Sequence, residues 1–405
     1  MSHLTQLVIR AVTVIAFLAV AATALFAEPQ YGPGASDKVI RIGQTMPYSG
    51  PASVYSVVGK VEAAYFDMIN EKGGVNGRKI ELLSYDDGLN PAKTVEQTRR
   101  LVERDDVLFI FQSLGTASNI AVQKYLNDKK VPQLFVAARA TNFENPDKFP
   151  WTMGFAPSTK TEAAVYGEFI MENFPDARVG ILYENNDSGK DALAGLKEGL
   201  GAKGAEMIVK EASYEATDPT VHTQIIAMKG AGVDLLVNMT SPKFAIQSIK
   251  KMTDLKWEPV HILGVGSASI DAVLKPAGLE NTKGIISASS FKEVSDPAWT
   301  NDPGVNGWSD FMDKHYPQGE RNSIFNTYGY SAAELLVKLL EQCGDNLTRE
   351  NVMKQAANLK NVELSLLLPG MTIDTSPTDY RVIQQFQMMR FNGAEWERFG
   401  PVSTH

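Results

Sequence analysis

Val39-Ile-Arg-Ile-Gly43 alternates apolar and polar positions as a half-buried strand does. Residues 57–72 then place Val58, Val61, Tyr65, Met68 and Ile69 on one helical face, and Gly73-Gly74 stops the helix. This first β–α unit sets the reading of everything downstream. A strand over 80–84 follows, and Asn90-Pro91 supplies an N-cap with proline at the first helical position, opening a helix that runs to about Glu103. Strands expected over 107–111, 133–136, 179–183, 234–237 and 261–263 alternate with helices over 117–127, 190–200, 221–229 and 243–252. Apolar strands separated by amphipathic helices, recurring at such short intervals, predict parallel sheets covered on both faces. Right-handed crossovers then make each half a doubly wound layer. The expected fold is α/β, with two such lobes. Pro157, Ser158 and Thr159 interrupt the series, which places a lobe boundary near 155–159 and a return near 288–293.

The chain has 405 residues with ordinary globular usage, and that length suits about two domains. One cysteine, Cys343, excludes an internal disulfide and any Cys-rich metal cluster. The net charge of -8 and the lack of a Lys/Arg stripe argue against a nucleic-acid partner. Between Arg10 and Glu28 lie 17 uncharged, mostly apolar residues ending in Ala21, Ala22, Ala24 and Ala27. This run is short for a membrane span and reads as a signal peptide over 1–27, hence an exported, periplasmic protein. The alternative is an uncleaved anchor.

Signatures of catalysis and cofactor binding are missing: there is no phosphate-binding loop, no H-E-x-x-H and no G-x-S-x-G, and the five histidines lack metal-ligand spacing. No catalytic residue, metal or cofactor is expected. Gly264-Val-Gly266 follows a strand, but Ser269 stands where a dinucleotide fingerprint needs its third glycine. Asp86-Asp87 could be an acid–base or metal pair; beside Gly88 and Pro91, turn and cap chemistry is the favoured reading. What remains is the rule that open parallel sheets bind ligands beyond the carboxyl ends of their strands.

Gly43-Gln-Thr-Met-Pro-Tyr-Ser-Gly50, Ile69-Asn-Glu-Lys-Gly-Gly-Val-Asn-Gly-Arg-Lys-Ile-Glu-Leu82 and Tyr85-Asp-Asp87 resemble the periplasmic Leu/Ile/Val-binding protein family over about residues 38–400. The resemblance implies a type I periplasmic binding protein: two lobes, joined by a three-crossover hinge, that close on a small ligand and present the closed form to an inner-membrane ABC permease. It also implies a monomer. The corresponding lobes are 38–155 with 290–360 and 156–289 with 361–405. The ligand-facing positions it implies are Ser113, Leu114, Gly115, Thr116, Arg139, Ala140 and Thr141 in the first lobe, with Tyr55 and Phe325 flanking. Ser188, Ser241 and Gly266 face them from the second. Leu89 and Leu114 stand where some relatives carry a disulfide, so a packed leucine pair is expected there.

Departures from the family pattern shape the ligand. Gly266 replaces the glutamate that holds an amino acid's ammonium group, and burying an unpaired amine costs several kcal/mol. Two tyrosines that close over the amino acid correspond to Ser188 and Ser241, and Arg139 replaces a small residue, where it could fork onto a carboxylate or lie between the lobes. The expected ligand is a small carboxylate lacking an amine, best matched by a hydroxycinnamate or hydroxybenzoate. Branched-chain amino acids, keto acids, amides and urea are the alternatives. A secreted enzyme with Asp86, Asp87 or His261 as acid or base is the reading from another class.

Overall fold

The computed structural model describes residues 28–321 and 323–404; the expected signal peptide lies outside them. The first lobe is built on a five-stranded parallel sheet of β1 (Val39–Met46), β2 (Lys79–Asp86), β3 (Ile110–Phe111), β4 (Gln133–Val136) and β5 (Thr152–Gly154) in the order 2-1-3-4-5. Helices α1 (Val57–Glu71), α2 (Pro91–Glu103) and α3 (Thr116–Asp128) connect the first four strands. As the sequence suggests, Asn90 caps α2, its side chain accepting from the Ala92 and Lys93 amides.

The second lobe repeats the plan. Its strands β6 (Val179–Glu184), β7 (Ile208–Tyr214), β8 (Leu235–Met239), β9 (Val260–Leu263) and β10 (Ile286–Ser289) are parallel in the order 7-6-8-9-10, the same permutation as in the first lobe. Two antiparallel strands, β11 (Gln385–Phe391) and β12 (Trp396–Thr404), extend it at the β10 edge. Its first helix, α4 (Thr159–Asn173), packs against α5 (Asp187–Leu200). The approach is close enough that a Cβ on Gly195 would lie 2.0 Å from the Lys160 carbonyl oxygen.

The chain crosses between lobes around 154–159, 289–292 and 383–385. The last crossing departs from the boundary expected at 360. Leu364, Leu366, Leu367, Leu368, Met371, Ile373, Tyr380, Val382 and Ile383 all join the core of the first lobe. Residues 361–383 contain no regular strand or long helix, so neither periodicity could reveal where they pack. The sequence reading also missed β5, β7, β10, β11 and β12. Among the described residues no helix is long and apolar enough to cross a membrane.

His261, on β9, is buried beside Asn238, with Nε2 3.2 Å from its side-chain nitrogen. Burial pulls the imidazole down to about 4. It faces the sheet's interior, so the acid–base role considered for it is not supported. The unfolded chain takes up the proton first, near pH 6.5, so the neutral group's contribution is complete above that pH and is lost as pH falls toward 4. His261→Gln should therefore flatten the decline in urea midpoint between pH 6.5 and 4. A second check concerns the helix pair: Gly195→Ala should cost about 1–3 kcal/mol in urea unfolding, as overpacking does. Gly266→Ala, with nothing within 4 Å of its added methyl, should cost less than half a kcal/mol, about as an exposed substitution does.

Candidate functional site

In a sheet of order 2-1-3-4-5 the crevice opens between the first and third strands, where successive connections leave toward opposite faces. The first lobe thus offers the segments after β1 and β3, and the second those after β6 and β8. They face one another, and the lobes meet across them.

The apolar part of the site lies in the first lobe. Met46, Val58, Leu114 and Phe325 form a buried cluster, with Tyr48, Tyr55, Leu89, Ala137 and Tyr328 packed against it; Ala272 reaches it from the second lobe. Tyr55 sits in the turn Ser53–Ser56 and meets Phe325 edge-on, centroids 5.0 Å apart. After α6 (His222–Gly230), α7 (Pro242–Asp254) and α8 (Pro303–His315) comes α9 (Ile324–Cys343), which carries Phe325 in its first turn. The Leu89–Leu114 pair belongs to the same cluster. Gly115 holds φ +102°, and a Cβ there would come within 2.4 Å of Leu89.

Several hydroxyls expected to face a ligand are engaged by the protein. Ser113 Oγ accepts from the Thr45 amide at 2.9 Å. Thr141 donates from its amide (2.7 Å) and its hydroxyl (3.1 Å) to Asp191 on α5, tying the lobes together. Ser188 Oγ donates to the Arg139 carbonyl at 3.4 Å, and its own carbonyl accepts from Thr159. Ser113, Thr141 and Ser188 thus each commit at least one hydrogen bond to the fold. Ala140 is buried, Thr116 opens α3, and Gly266 is exposed on the short turn Val265–Ser267. Ser241 Oγ lies 3.3 Å from the Tyr214 hydroxyl, which also accepts from the Ser241 amide at 2.9 Å.

Arg139 lies between the lobes, one of the two readings offered for it. Its Nη1 lies 2.6 Å from Glu162 Oε2, across the boundary between the lobes, and its Nε donates to the Pro157 carbonyl at 2.9 Å. Glu162, in the first turn of α4, is fully buried; its other oxygen accepts from the Val265 amide and the Tyr166 hydroxyl, each at 2.7 Å. Arg139 Nη2 is buried with no hydrogen-bond partner among the described residues.

Three acidic groups escaped the sequence reading. Glu162 could have been flagged by its place within an apolar helix. Glu184 closes β6, and burial pushes its carboxyl up. Glu62, on α1, donates nothing to solvent: it is fully buried, accepts from Gln44 at 2.5 Å, and burial holds its carboxyl far above the usual range. The Asp86-Asp87 pair does the turn work favoured for it. Asp86 is held down by the Ser49 hydroxyl and amide, while buried Asp87 accepts from the Leu89 amide and the Thr94 hydroxyl.

Removing one partner of a buried pair strands the other charge. Arg139→Met should therefore cost about 3 kcal/mol in denaturant unfolding, and adding Glu162→Gln should recover part of that loss. Additive costs in the double variant would mean that the pair contributes no coupling.

Comparison with known proteins agrees with this architecture. The Leu/Ile/Val-binding protein homolog 1 of Brucella suis biovar 1 (strain 1330) is 24% identical over 342 residues, covering 82% of this chain and 86% of the relative. A branched-chain amino acid ABC transporter protein from Thermus thermophilus with bound valine superposes with a TM-score of 0.81 at 17% identity, covering 92% of this chain and 98% of that one. A solute-binding protein of an ABC transporter from Rhodopseudomonas palustris BisB5, in complex with 3,4-dihydroxybenzoic acid, gives a TM-score of 0.75 at 19% identity, with 91% and 98% covered. With the family model described as periplasmic binding protein matching residues 39–395, the chain belongs to that family, with the type I fold of these structures.

Proposed function

We propose that the cleft captures a small carboxylate, best matched by an aromatic acid such as a hydroxycinnamate or hydroxybenzoate, for uptake from the periplasm. Arg139 Nη2 carries this reading: it is a cationic donor, buried at the boundary between the lobes and unpartnered among the described residues. A carboxylate oxygen satisfies such a donor, and a charge-assisted bond in a desolvated site is worth more than a neutral one. Tyr55 and Phe325, edge to face beside Leu114 and Leu89, supply an apolar wall for a flat ring. The dihydroxybenzoate held by the Rhodopseudomonas palustris protein gives the fold a precedent for such a ligand.

Selection follows from closure. A ligand that touches both lobes only in the closed form shifts the hinge equilibrium by its differential affinity, and the closed surface is what an inner-membrane ABC permease reads as a monomer docks. A branched-chain amino acid is the second reading. It is favoured by the names of the curated relatives and by the aliphatic lining from Met46, Val58 and Leu114. Against it, Gly266 leaves that turn without an acid for the ammonium group.

A thermal melt separates the two. Protein refolded from denaturant to strip carried ligand should be stabilised by about 2.7 kcal/mol with 4-coumarate at about 100 times Kd, a resolvable rise in melting temperature. Leucine should shift it little. A shift with leucine alone would make the chain an amino-acid receptor and overturn the aromatic-acid assignment.

A further inference from the structure

Glu184 is the last residue of β6, at the crevice of the second lobe, and it has a role that the family's pattern does not supply. Its Oε1 accepts from Asn186 Nδ2 at 2.8 Å, and its Oε2 accepts a long bond of 3.3 Å from the Tyr214 hydroxyl. Among the described residues no Lys, Arg or His lies within ion-pair distance of it. The Glu184 charge is felt at Tyr55, the aromatic residue of the first-lobe apolar cluster, and Tyr55 in turn influences Tyr214. Burial raises the Glu184 carboxyl and Glu215 adds to the rise, opposed by the bonds from Tyr214 and Asn186. The result is an underbonded acceptor, mostly out of water, at the carboxyl end of β6. Each carboxylate oxygen has more than one lone-pair direction, so Glu184 retains acceptor capacity after these two bonds. Arg139 is the donor-rich group of the crevice and Glu184 its acceptor-rich one.

Resting on the carboxylate reading of the cleft, we propose that Glu184 is the second-lobe anchor of the ligand, accepting a hydrogen bond from a donor group at the end away from the ligand's carboxylate. A phenolic hydroxyl and an ammonium group share that chemistry. Such an anchor makes closure specific, because only a ligand long enough to reach both Arg139 and Glu184 pulls the two lobes together. It also replaces the acid missing at Gly266 with one that lies on a different strand.

Isothermal titration of the full chain with 4-coumarate, cinnamate and 4-(aminomethyl)cinnamate tests this. A donor-bearing ligand should bind at least about tenfold tighter than cinnamate, since a bond to a charged acceptor is worth that much. Glu184→Leu should bring the ratio to within threefold, by weakening the donor-bearing ligands and strengthening cinnamate, which no longer meets the Glu184 charge. Glu184→Gln then sorts the donors: it keeps a neutral acceptor, so it should preserve the preference for a phenol and abolish one for an ammonium. Cinnamate binding that is retained in the Leu variant shows that it folds. If the donor preference survives in Glu184→Leu, or if the parent protein shows none, the anchor assignment falls while the carboxylate reading stands. Failure of all three ligands to bind the parent protein overturns both.

Discussion

The ion pair between Arg139 and Glu162 is the contact on which the arrangement of the site depends. Arg139 belongs to the loop after β4, and Glu162 to the first turn of the first helix in the second lobe. Their 2.6 Å contact therefore spans the hinge itself. Glu162 is fully buried, so its charge is tolerable only with its remaining valences satisfied. The Val265 amide and the Tyr166 hydroxyl do this, and through Val265 the pair also fixes the loop after β9. One buried carboxylate thus sets the relative position of a first-lobe loop, the hinge helix and a second-lobe loop. Thr141 and Asp191 reinforce the same junction from the far side of Arg139.

Around that junction the fold is nearly symmetric in plan. Both sheets use the same strand permutation, so each presents its crevice at the point where its first and third strands part. The asymmetry lies in what the crevices carry. Tyr55, Leu114 and Phe325 pack together in the first lobe, whereas Glu184, Tyr214 and Ser241 are joined by hydrogen bonds in the second. An apolar wall facing a polar one suits a ligand with a flat hydrophobic body and polar ends.

The α/β rhythm was legible because it is a matter of period: alternation in 39–43, a helical face from Val58 to Ile69, and a proline cap at Asn90-Pro91 are local signals that tertiary context did not override. The lobe boundary near residue 360 was not, because 361–383 pack into the first core through irregular backbone. The site was legible by segment and not by side chain. The expected loops do follow the carboxyl ends of their strands, yet Ser113, Thr141 and Ser188 turn hydrogen-bonding groups to Thr45, Asp191 and the Arg139 carbonyl. A hydroxyl's choice between a ligand and a neighbouring backbone group depends on distances of a few tenths of an ångström, which no spacing in the chain encodes. Arg139 shows the same limit: the sequence marks it as unusual, and only its geometry shows that one guanidinium serves the hinge and leaves a further donor over.

The sequence argument at Gly266 survives in a changed form. Loss of the acid after β9 reads, taken alone, as a cleft that has given up on donors. The structure offers two other carboxylates, Glu162 bonded to the Val265 amide beside that position and Glu184 at the end of β6. Glu162 balances Arg139 and is closed to a ligand by its three contacts. Glu184 has no cation of its own among the described residues and is raised by burial, so a negative ligand entering beside it meets repulsion unless Glu184 is protonated or a donor is turned toward it. Charge balance in the cleft therefore constrains ligand chemistry more sharply than the identity of residue 266 does. On the proposed carboxylate reading, a bare carboxylate would satisfy Arg139 and aggravate Glu184, whereas a carboxylate bearing a distant donor would satisfy both.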